Sequence, residues 1–558
     1  MNRSTNNSCI LPALNRKLLT GSKLIGMLMC LFFLTSTLLY GQAEIYVHMD
    51  KGFYVGGERI WYTLYLTRDD GLPLSQGTVF ISWYNQEKEQ VQIQQYQVTD
   101  GRAAGSLFLG EKFTQGNYLC RISSPNLIPT KWLVKDYLIP VFTPTQEEDS
   151  PGELSEETLS RTEDKRVELS QEVYTPREVV QITTTASKGK YSLSVIDVAH
   201  AEPFMENNHF LGTQQIPFLG AEVSLDLTKW NLAGKITKAS GEELPGLVGV
   251  YWVEKDTMLT VRPQEGAFSV QLPFAAGRQH FQVMDSGLFP DNEFGVSWEA
   301  SPLPVSADIP PIPSLEPLTS KQKQYIYWFT RRQLLNRIFQ VSAPVETANT
   351  ESEAKGEEPD RAYDSQEYLA FQDLESFCRE VLAGAIKIDA KGSRKGFKLL
   401  NYDSKLRYQY EPLVFIDDRV LKDPSQIWEV NWKNIDKIEL YATHQSTSVH
   451  FGSAGVRGGV FRLYTRGKQA LVERLDFLPT SEIDGLSIQE SFLPPSELAG
   501  GKPYIRPLVH WDAALDVEVE KVKATFQHSD VKGNFRIDIK GVTAEGEWVE
   551  ISDTYQVQ

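Results

Sequence analysis

The stretch DKGFYVGGERIWYTLYLT, residues 50 to 67, sets the reading of the whole chain. From Arg59 onward Ile60, Tyr62, Leu64 and Leu66 alternate with Trp61, Thr63 and Tyr65, a period of two that marks a β-strand. The segments TVFISWYN, VQIQQYQV, GSLFLG and NYLCRIS follow. They are separated by Asp69-Asp70-Gly71, Asp100-Gly101 and Gln115-Gly116, polar and glycine-bearing turns that let the chain reverse. Short strands at this spacing build two packed sheets, so residues 43–142 are predicted to be a β-sandwich.

The start of that segment resembles the opening of an alpha-macroglobulin domain: an Asp-Lys pair, a Tyr, a Gly-Glu pair and an apolar strand, here Asp50, Lys51, Tyr54, Gly57, Glu58 and Trp61. Residues 143–164 are acidic and polar, a linker too hydrophilic to bury. Beyond it VELSQEVYTPREVVQIT places Tyr174 and Glu178 at the spacing of Tyr54 and Glu58. With KYSLSVIDV this predicts a second macroglobulin-like sandwich over 165–221. Residues 222–300, with LAGKITKASGEELPGLVGVYWVEK, GAFSVQLP and HFQVMD, are similar to the small regulatory-type sandwich found beside carboxypeptidases and in outer-membrane receptors. The peptidase's metal-binding residues are not seen. Residues 301–319 are a proline-rich linker, barred from a sheet centre or helix interior. Residues 320–341 read as an amphipathic helix with Tyr325, Phe329, Leu335 and Ile338 on its apolar side. Packing on a neighbouring domain is its first reading and lying on a membrane surface its second. A further acidic linker spans 342–362.

Residues 363–470 change character. EYLAFQDLESFCREVL places Leu369, Leu374, Phe377, Val381 and Leu382 on one helix face. GFKLLNY, EPLVFIDDRVLKDPSQI and NIDKIELYATHQSTSVHFGSAGVRGGVFRLYTRG follow. The order of helix and strands resembles the plug domain of TonB-dependent outer-membrane receptors, with Pro412, Leu413, Ile416, Asp417, Ile435, Ile438, Gly452, Gly455, Gly458, Gly459 and Thr465 at matching positions. The resemblance implies a small α+β fold. The glycines are read as a tight turn with close backbone packing, Gly459 being suited to a positive φ. A phosphate loop is excluded, because a strand rather than a helix follows and the Lys-Ser/Thr pair is missing. Asp418 stands where a plug has Gly, so that turn is expected to differ. Residues 471–558 form one more predicted sandwich, too short for a transport barrel. The expected fold class is therefore mainly β: tandem immunoglobulin-like or macroglobulin-like β-sandwiches with one small α+β plug-like domain.

The first 41 residues hold Arg3, Arg16, Lys17 and Lys23, no acid, and the apolar run Leu24 to Tyr40, which read as a signal peptide. A retained anchor and a lipid-modified Cys30 are the alternatives. Cleavage would take the formal net charge from −17 to −21, which disfavours nucleic acid. Cys120 and Cys378 then remain, too far apart to suggest a disulfide.

The eight histidines are dispersed, only His444 and His450 being placed to meet across a turn. No zinc, Cys/His or G-x-S-x-G pattern occurs, nor the reactive thioester motif of some macroglobulins. Asp69-Asp70 and Asp417-Asp418 read as turn caps rather than acid/base pairs. No catalytic, cofactor-binding or metal-binding residue is assigned, and no cofactor or enzymatic activity is expected. The combination looks like a family of exported Gram-negative envelope proteins. Its expected partners are envelope proteins, an outer-membrane barrel among them, with peripheral membrane association as an option. Two functions are expected: presentation of the modules to a partner protein or peptide, or service as an accessory of a TonB-dependent uptake system.

Overall fold

A computed structural model of the chain describes residues 43–128, 131–144, 166–198, 209–217, 229–238, 244–287, 292–299, 309–339, 345–347, 358–391, 394–467, 475–493, 502–518 and 521–558. The expected signal peptide, nearly all of the first acidic linker and most of the second lie outside these residues. Among the described residues the architecture is mainly β: one nine-stranded sheet, two units built from paired smaller sheets, and an α+β unit.

In the first sandwich the strands run Glu44–Met49, Arg59–Thr67, Arg102–Phe108, Gln90–Thr99, Gln76–Tyr84, Gly116–Ile128, Lys131–Phe142 in hydrogen-bonded order. Alternation does its expected work: Ile60, Tyr62, Leu64 and Leu66 fall into one core with Ile81, Trp83, Val98, Ile122 and Ile139. The intervening Trp61 and Tyr65 are buried as well, because a second sandwich covers that face. Trp61 packs on Leu508 and Trp511, and the Tyr65 hydroxyl donates to Ser192 Oγ at 2.9 Å.

That second sandwich corrects the expected partition. The strands Val167–Leu169, Val173–Tyr174, Val179–Thr185 and Gly189–Asp197 do not close on themselves. They interleave with Leu508–Val517, Lys521–Gln527, Gly533–Thr543 and Trp548–Val557 from the far end of the chain. One core joins Tyr174, Ile182, Leu193 and Val195 to Phe526, Phe535, Ile539 and Tyr555. The second and C-terminal sandwiches expected over 165–221 and 471–558 are thus one unit. The strand His209–Pro217, placed by sequence in the second sandwich, adds instead to the edge of the first beside Lys131–Phe142. Thr480–Asp484 joins the third sandwich, and Glu490–Phe492 pairs with Val345–Thr347. The physical reason is common to all three: period-two patterning says that a segment is a strand but not which backbone edge it satisfies.

The internal repeat is real at the atomic level. Tyr54–Val55 runs parallel to the end of Lys131–Phe142, and Val173–Tyr174 parallel to the end of Trp548–Val557. In each, the glutamate four residues on accepts from a backbone N–H: Val55 to Glu58 at 2.6 Å, Thr175 to Glu178 at 2.7 Å. Residue 57 has φ +88° and its counterpart Arg177 φ +64°, the same left-handed turn. Among the described residues only the first copy carries the charged pair, Lys51 on Glu58, and only that copy is roofed by a helix.

This roof is helix α1, Ser320–Ile338. Tyr325, Ile326 and Phe329 pack on Phe53, Val55 and Phe142, and Lys51 lies 5.6 Å from the Phe329 ring. Leu335 and Ile338, expected on the same buried face, are exposed. The preceding proline-rich segment runs along the first sandwich, where Asn117 and Lys88 donate to the carbonyls of Pro313 and Ile309.

The third sandwich packs Trp230–Thr237, Ala267–Leu272 and Gly295–Glu299 against Val248–Trp252, Thr257–Val261 and Arg278–Asp285 around Trp230, Trp252 and Phe281. In the α+β unit a five-stranded sheet runs Arg361–Asp364, Ile435–Tyr441, Val460–Thr465, Leu413–Ile416, Arg419–Val420. Helix α2 is Leu374–Glu380, capped by Asp373, whose carboxylate accepts from Ser376 N at 2.7 Å. It starts later than the sequence pattern suggests. Leu369 therefore lies outside the helix and is exposed, while Leu374, Phe377 and Leu382 enter the core. Asp360, assigned by sequence to a linker, instead accepts from Ala442 N, Thr443 N and Ser446 Oγ at 2.6–2.9 Å. Cys120 and Cys378 are both free and buried in different units.

Candidate functional site: a cleft beside the α+β unit

The glycine-rich stretch that sequence reads as a tight turn is a helix. Helix α3, His444–Gly458, is capped by Thr443 and followed directly by the strand Val460–Thr465. At Gly452 the helix breaks, with φ +51° and ψ −147°. A Cβ there would lie 2.5 Å from Thr260 Oγ1 and 3.4 Å from the Met258 carbonyl oxygen, so the missing side chain lets the helix lie on the third sandwich. Gly458 packs against the Glu411 backbone, and Gly459, at φ +76°, turns the chain into the strand. Close packing is what the sequence reading anticipated; the helix is what it missed.

The contact is extensive and largely apolar. Tyr251, Met258 and Met284 of the sandwich meet Phe415, Tyr441, Phe451 and Val460 in one core, with the Tyr251 and Phe415 rings 5.0 Å apart. Arg462, buried on the sheet, crosses it: one guanidinium nitrogen donates to Asp256 of the sandwich at 2.6 Å and another to Asp418 at 3.2 Å.

Where the two units part, a cleft of about 600 Å³ opens. Arg457, the one charged residue in the glycine-rich stretch, is carried to its wall by the last turn of α3. Its side chain lies over the Tyr410 ring at 5.7 Å and donates to the Gly287 carbonyl. Burial pulls its pKa below the usual guanidinium range, against the opposing charge of Asp285. Asp285 Oδ1 in turn accepts from Gly287 N at 2.7 Å, which shapes that wall.

The opposite wall is the hairpin Ile386–Lys391 and Arg394–Leu399 with the segment leading to Leu413. Arg394 grips Glu411 with two bonds, at 2.9 and 2.6 Å, and reaches Asp423 at 2.8 Å. Those bonds, Glu411's first, raise the Arg394 pKa. Burial would raise that of Asp423, but its bonds from Ser425 and Arg394 hold it below the usual carboxylate range. The lining balances Arg394, Lys398, Lys422 and Arg457 against Asp285, Asp389, Glu411 and Asp423, and among the described residues it contains no Ser, Thr, Cys or His. Its polar groups can hold a chain of mixed charge; it offers no nucleophile–base pair.

Residues weighed from sequence lie elsewhere. His444 and His450 sit on the same helix, six residues apart rather than across a turn. Among the described residues no group of three His, Cys, Asp or Glu is placed to hold a metal ion. Asp69 and Asp70 accept from the backbone N–H groups of Ala43 and Leu72. Asp417 takes φ +54° in a two-residue turn, held there by bonds from Thr465 N and Oγ1, both 2.8 Å. Because Asp417 carries the positive φ, the turn does without the glycine expected at position 418. The cleft itself was missed because its walls come from segments far apart in sequence, around Asp285, around Arg394 and Glu411, and around Arg457. The lone Arg457 among glycines was the available signal.

No protein-family model matches the sequence, and no curated protein sequence is significantly similar to it. Among solved structures the chain is similar to Salmonella alpha-2-macroglobulin reacted with methylamine, at 10% identity and a TM-score of 0.25, over 93% of this chain and 40% of that one. Escherichia coli alpha-2-macroglobulin activated by porcine elastase gives 10% identity and 0.25, over 92% and 44%. The Yersinia pseudotuberculosis adhesin InvE gives 12% and 0.14, over 46% and 59%. The chain spans less than half the length of these two macroglobulins.

Proposed function

We propose that the chain is a non-enzymatic cell-envelope protein whose sandwiches and plug-like unit present a binding surface to a partner protein or peptide, and that the cleft beside α3 is that surface. The observation that carries this reading is the lining of the cleft: four basic and four acidic side chains around aromatic Tyr410. A polypeptide segment offers the matching pattern of charges and backbone groups, whereas a polyanion would meet as many carboxylates as cations. The macroglobulin-like motif at Asp50 to Trp61 acts as a structural staple on this reading, since its polar atoms bond to one another.

The other expected function, a plug-like unit docked in a separate barrel, is less well supported. A domain enclosed by a barrel needs its perimeter free, and here α3 and one sheet face are covered by the third sandwich.

The test is a photoreactive residue at Tyr410 in cells, with Leu406, exposed on the same unit, as control. The expected result is one defined polypeptide adduct from position 410, absent at 406 and lost in an Arg457→Glu background. Equal labelling at both positions, or insensitivity to Arg457→Glu, refutes the assignment.

A further inference from the structure

From Tyr325 onward helix α1 carries apolar side chains on two opposite sides, of which the first sandwich covers one. Tyr325, Ile326 and Phe329 fill the seam against the first sandwich. At 3.6 residues per turn Trp328, Arg331, Leu335 and Ile338 fall on the far side, with Leu334 and Phe339 beside them. All six are exposed, Leu334 at 55% and Ile338 at 62%. A helix apolar on both sides is normally buried on both, and an exposed apolar patch of this kind marks an interaction site.

Charge narrows the occupant. Residues 320–341 contain Lys321, Lys323, Arg331, Arg332 and Arg337 and no Asp or Glu, in a chain that has 73 acidic residues against 56 basic ones. Arg332 turns inward to the buried carboxylate of Asp197 at 3.6 Å. Arg331 stays outside over the Tyr327 ring, at 5.5 Å. The patch is a convex ridge, from Trp328 to Phe339 about 16 Å long at 1.5 Å per residue.

We propose that this outer face of α1 lies on an anionic phospholipid surface, its aliphatic and aromatic side chains at the acyl boundary and Arg331 among the headgroups. Interfacial helices combine these residue types, with Trp at headgroup level and long basic side chains reaching up to phosphate. A second copy of the chain fits less well, because apposing two such ridges brings cations together with no carboxylate between them. A soluble protein would have to offer a groove to receive a ridge, whereas a bilayer yields to one. The inference is independent of the cleft, which lies on other units.

The experiment places an environment-sensitive dye on Leu335→Cys in the full chain as exported by cells. A parallel labelling of the unsubstituted chain accounts for its own cysteines, and Leu406→Cys serves as a distant control. Vesicles of phosphatidylcholine with 30% phosphatidylglycerol, roughly the anionic content at which such surfaces attract basic segments, are compared with pure phosphatidylcholine. The expected result is a blue shift at position 335 only, quenched by spin-labelled lipid and weakened by high salt. Flotation with the anionic vesicles should fall at least about tenfold in Leu335→Glu/Ile338→Glu, with the circular dichroism spectrum unchanged. Absence of a shift with anionic vesicles, equal flotation of the double variant, or a dye already shielded in buffer by a dimer or a co-purifying protein overturns the proposal.

Discussion

Replacing Arg462 by Met should loosen the α+β unit from the third sandwich, and the two carboxylates on Arg462 should share that effect unequally. Arg462 is 3% exposed and lies between the Phe415 and Tyr464 rings, at 5.4 and 5.2 Å. Breaking a buried ion pair costs about 3–5 kcal/mol, because the surviving charge loses its partner without regaining water. The Asp256 side chain retains 22% exposure and still accepts from the Tyr251 hydroxyl at 2.7 Å, which puts the expected loss near the lower bound, about 3 kcal/mol. Asp418 is 41% exposed and 3.2 Å away, so its share should be that of a surface pair, below about 1 kcal/mol. Double-mutant cycles of Arg462→Met with Asp256→Asn and with Asp418→Asn separate the two terms. Asparagine suits position 256, whose φ is +46°. Hydrogen exchange of peptides covering 248–261 and 444–465 reads the opening free energy locally, without assuming that a multidomain chain unfolds in one step. The expected coupling is about 2 kcal/mol with Asp256 and less than half of that with Asp418. Equal couplings, or a loss confined to the α+β peptides, would refute the idea that this arginine joins the units.

Gly458→Ala should destabilise the α+β unit by about 3 kcal/mol or more, because its Cβ would strike the Glu411 backbone and lie 2.7 Å from the Glu411 carbonyl carbon. Gly467→Ala, with nothing among the described residues within 4 Å of the new Cβ but at φ +70°, should cost only about 1 kcal/mol in the same thermal melts. Acid should weaken the second sandwich, where His510 stacks on Phe526, and its contact with the first, where His48 meets Ser192 and Trp511. Burial holds His510 at about 4, with Asp512 opposing, and burial followed by Lys540 and Arg536 pushes His48 well below its normal value. Both rings are held neutral in the fold, so stability present above pH 6.5 is lost as pH falls toward 4, by about 3 kcal/mol for His510 alone. His510→Phe, set between Phe492 and Phe526, should flatten much of the melting-temperature profile over that window, and an unchanged slope would count against the assignment. Asp50 behaves oppositely: burial, against Lys51, Tyr54 and Trp61, raises it to about 7, so its contribution is lost as pH rises from 3.8 to 7. Asp50→Asn keeps an acceptor for Tyr54 and Trp61 and should gain on the wild type more at pH 8 than at pH 4 in the same melts.

Much of the local structure was legible in the residues themselves. Strict alternation in ERIWYTLYLT specified a strand and its core face, and the shared spacing of Tyr54-Glu58 and Tyr174-Glu178 specified a turn that recurs in three dimensions. Gly459, read as the close of a glycine turn before an apolar strand, has the positive φ to which that reading suited it. Such features depend on neighbours a few positions away, where sterics and hydrogen bonding act through the chain itself. The helical state of GSAGVRGG was not legible, because the glycines are tolerated there only through contacts with Met258, Thr260 and Glu411, nearly two hundred and nearly fifty residues distant.

Partnership was decided by tertiary structure alone. The sequence determined that residues 167–197 and 508–557 are strands; only folding determined that they complete one sandwich, since a ladder of backbone hydrogen bonds is indifferent to side-chain identity. The same holds for α1, whose apolar residues are evident in the sequence while the choice of which go inward was made by Phe53, Val55 and Phe142. It holds for the cleft, where charges drawn from three distant segments become neighbours because two cores beneath them pack together.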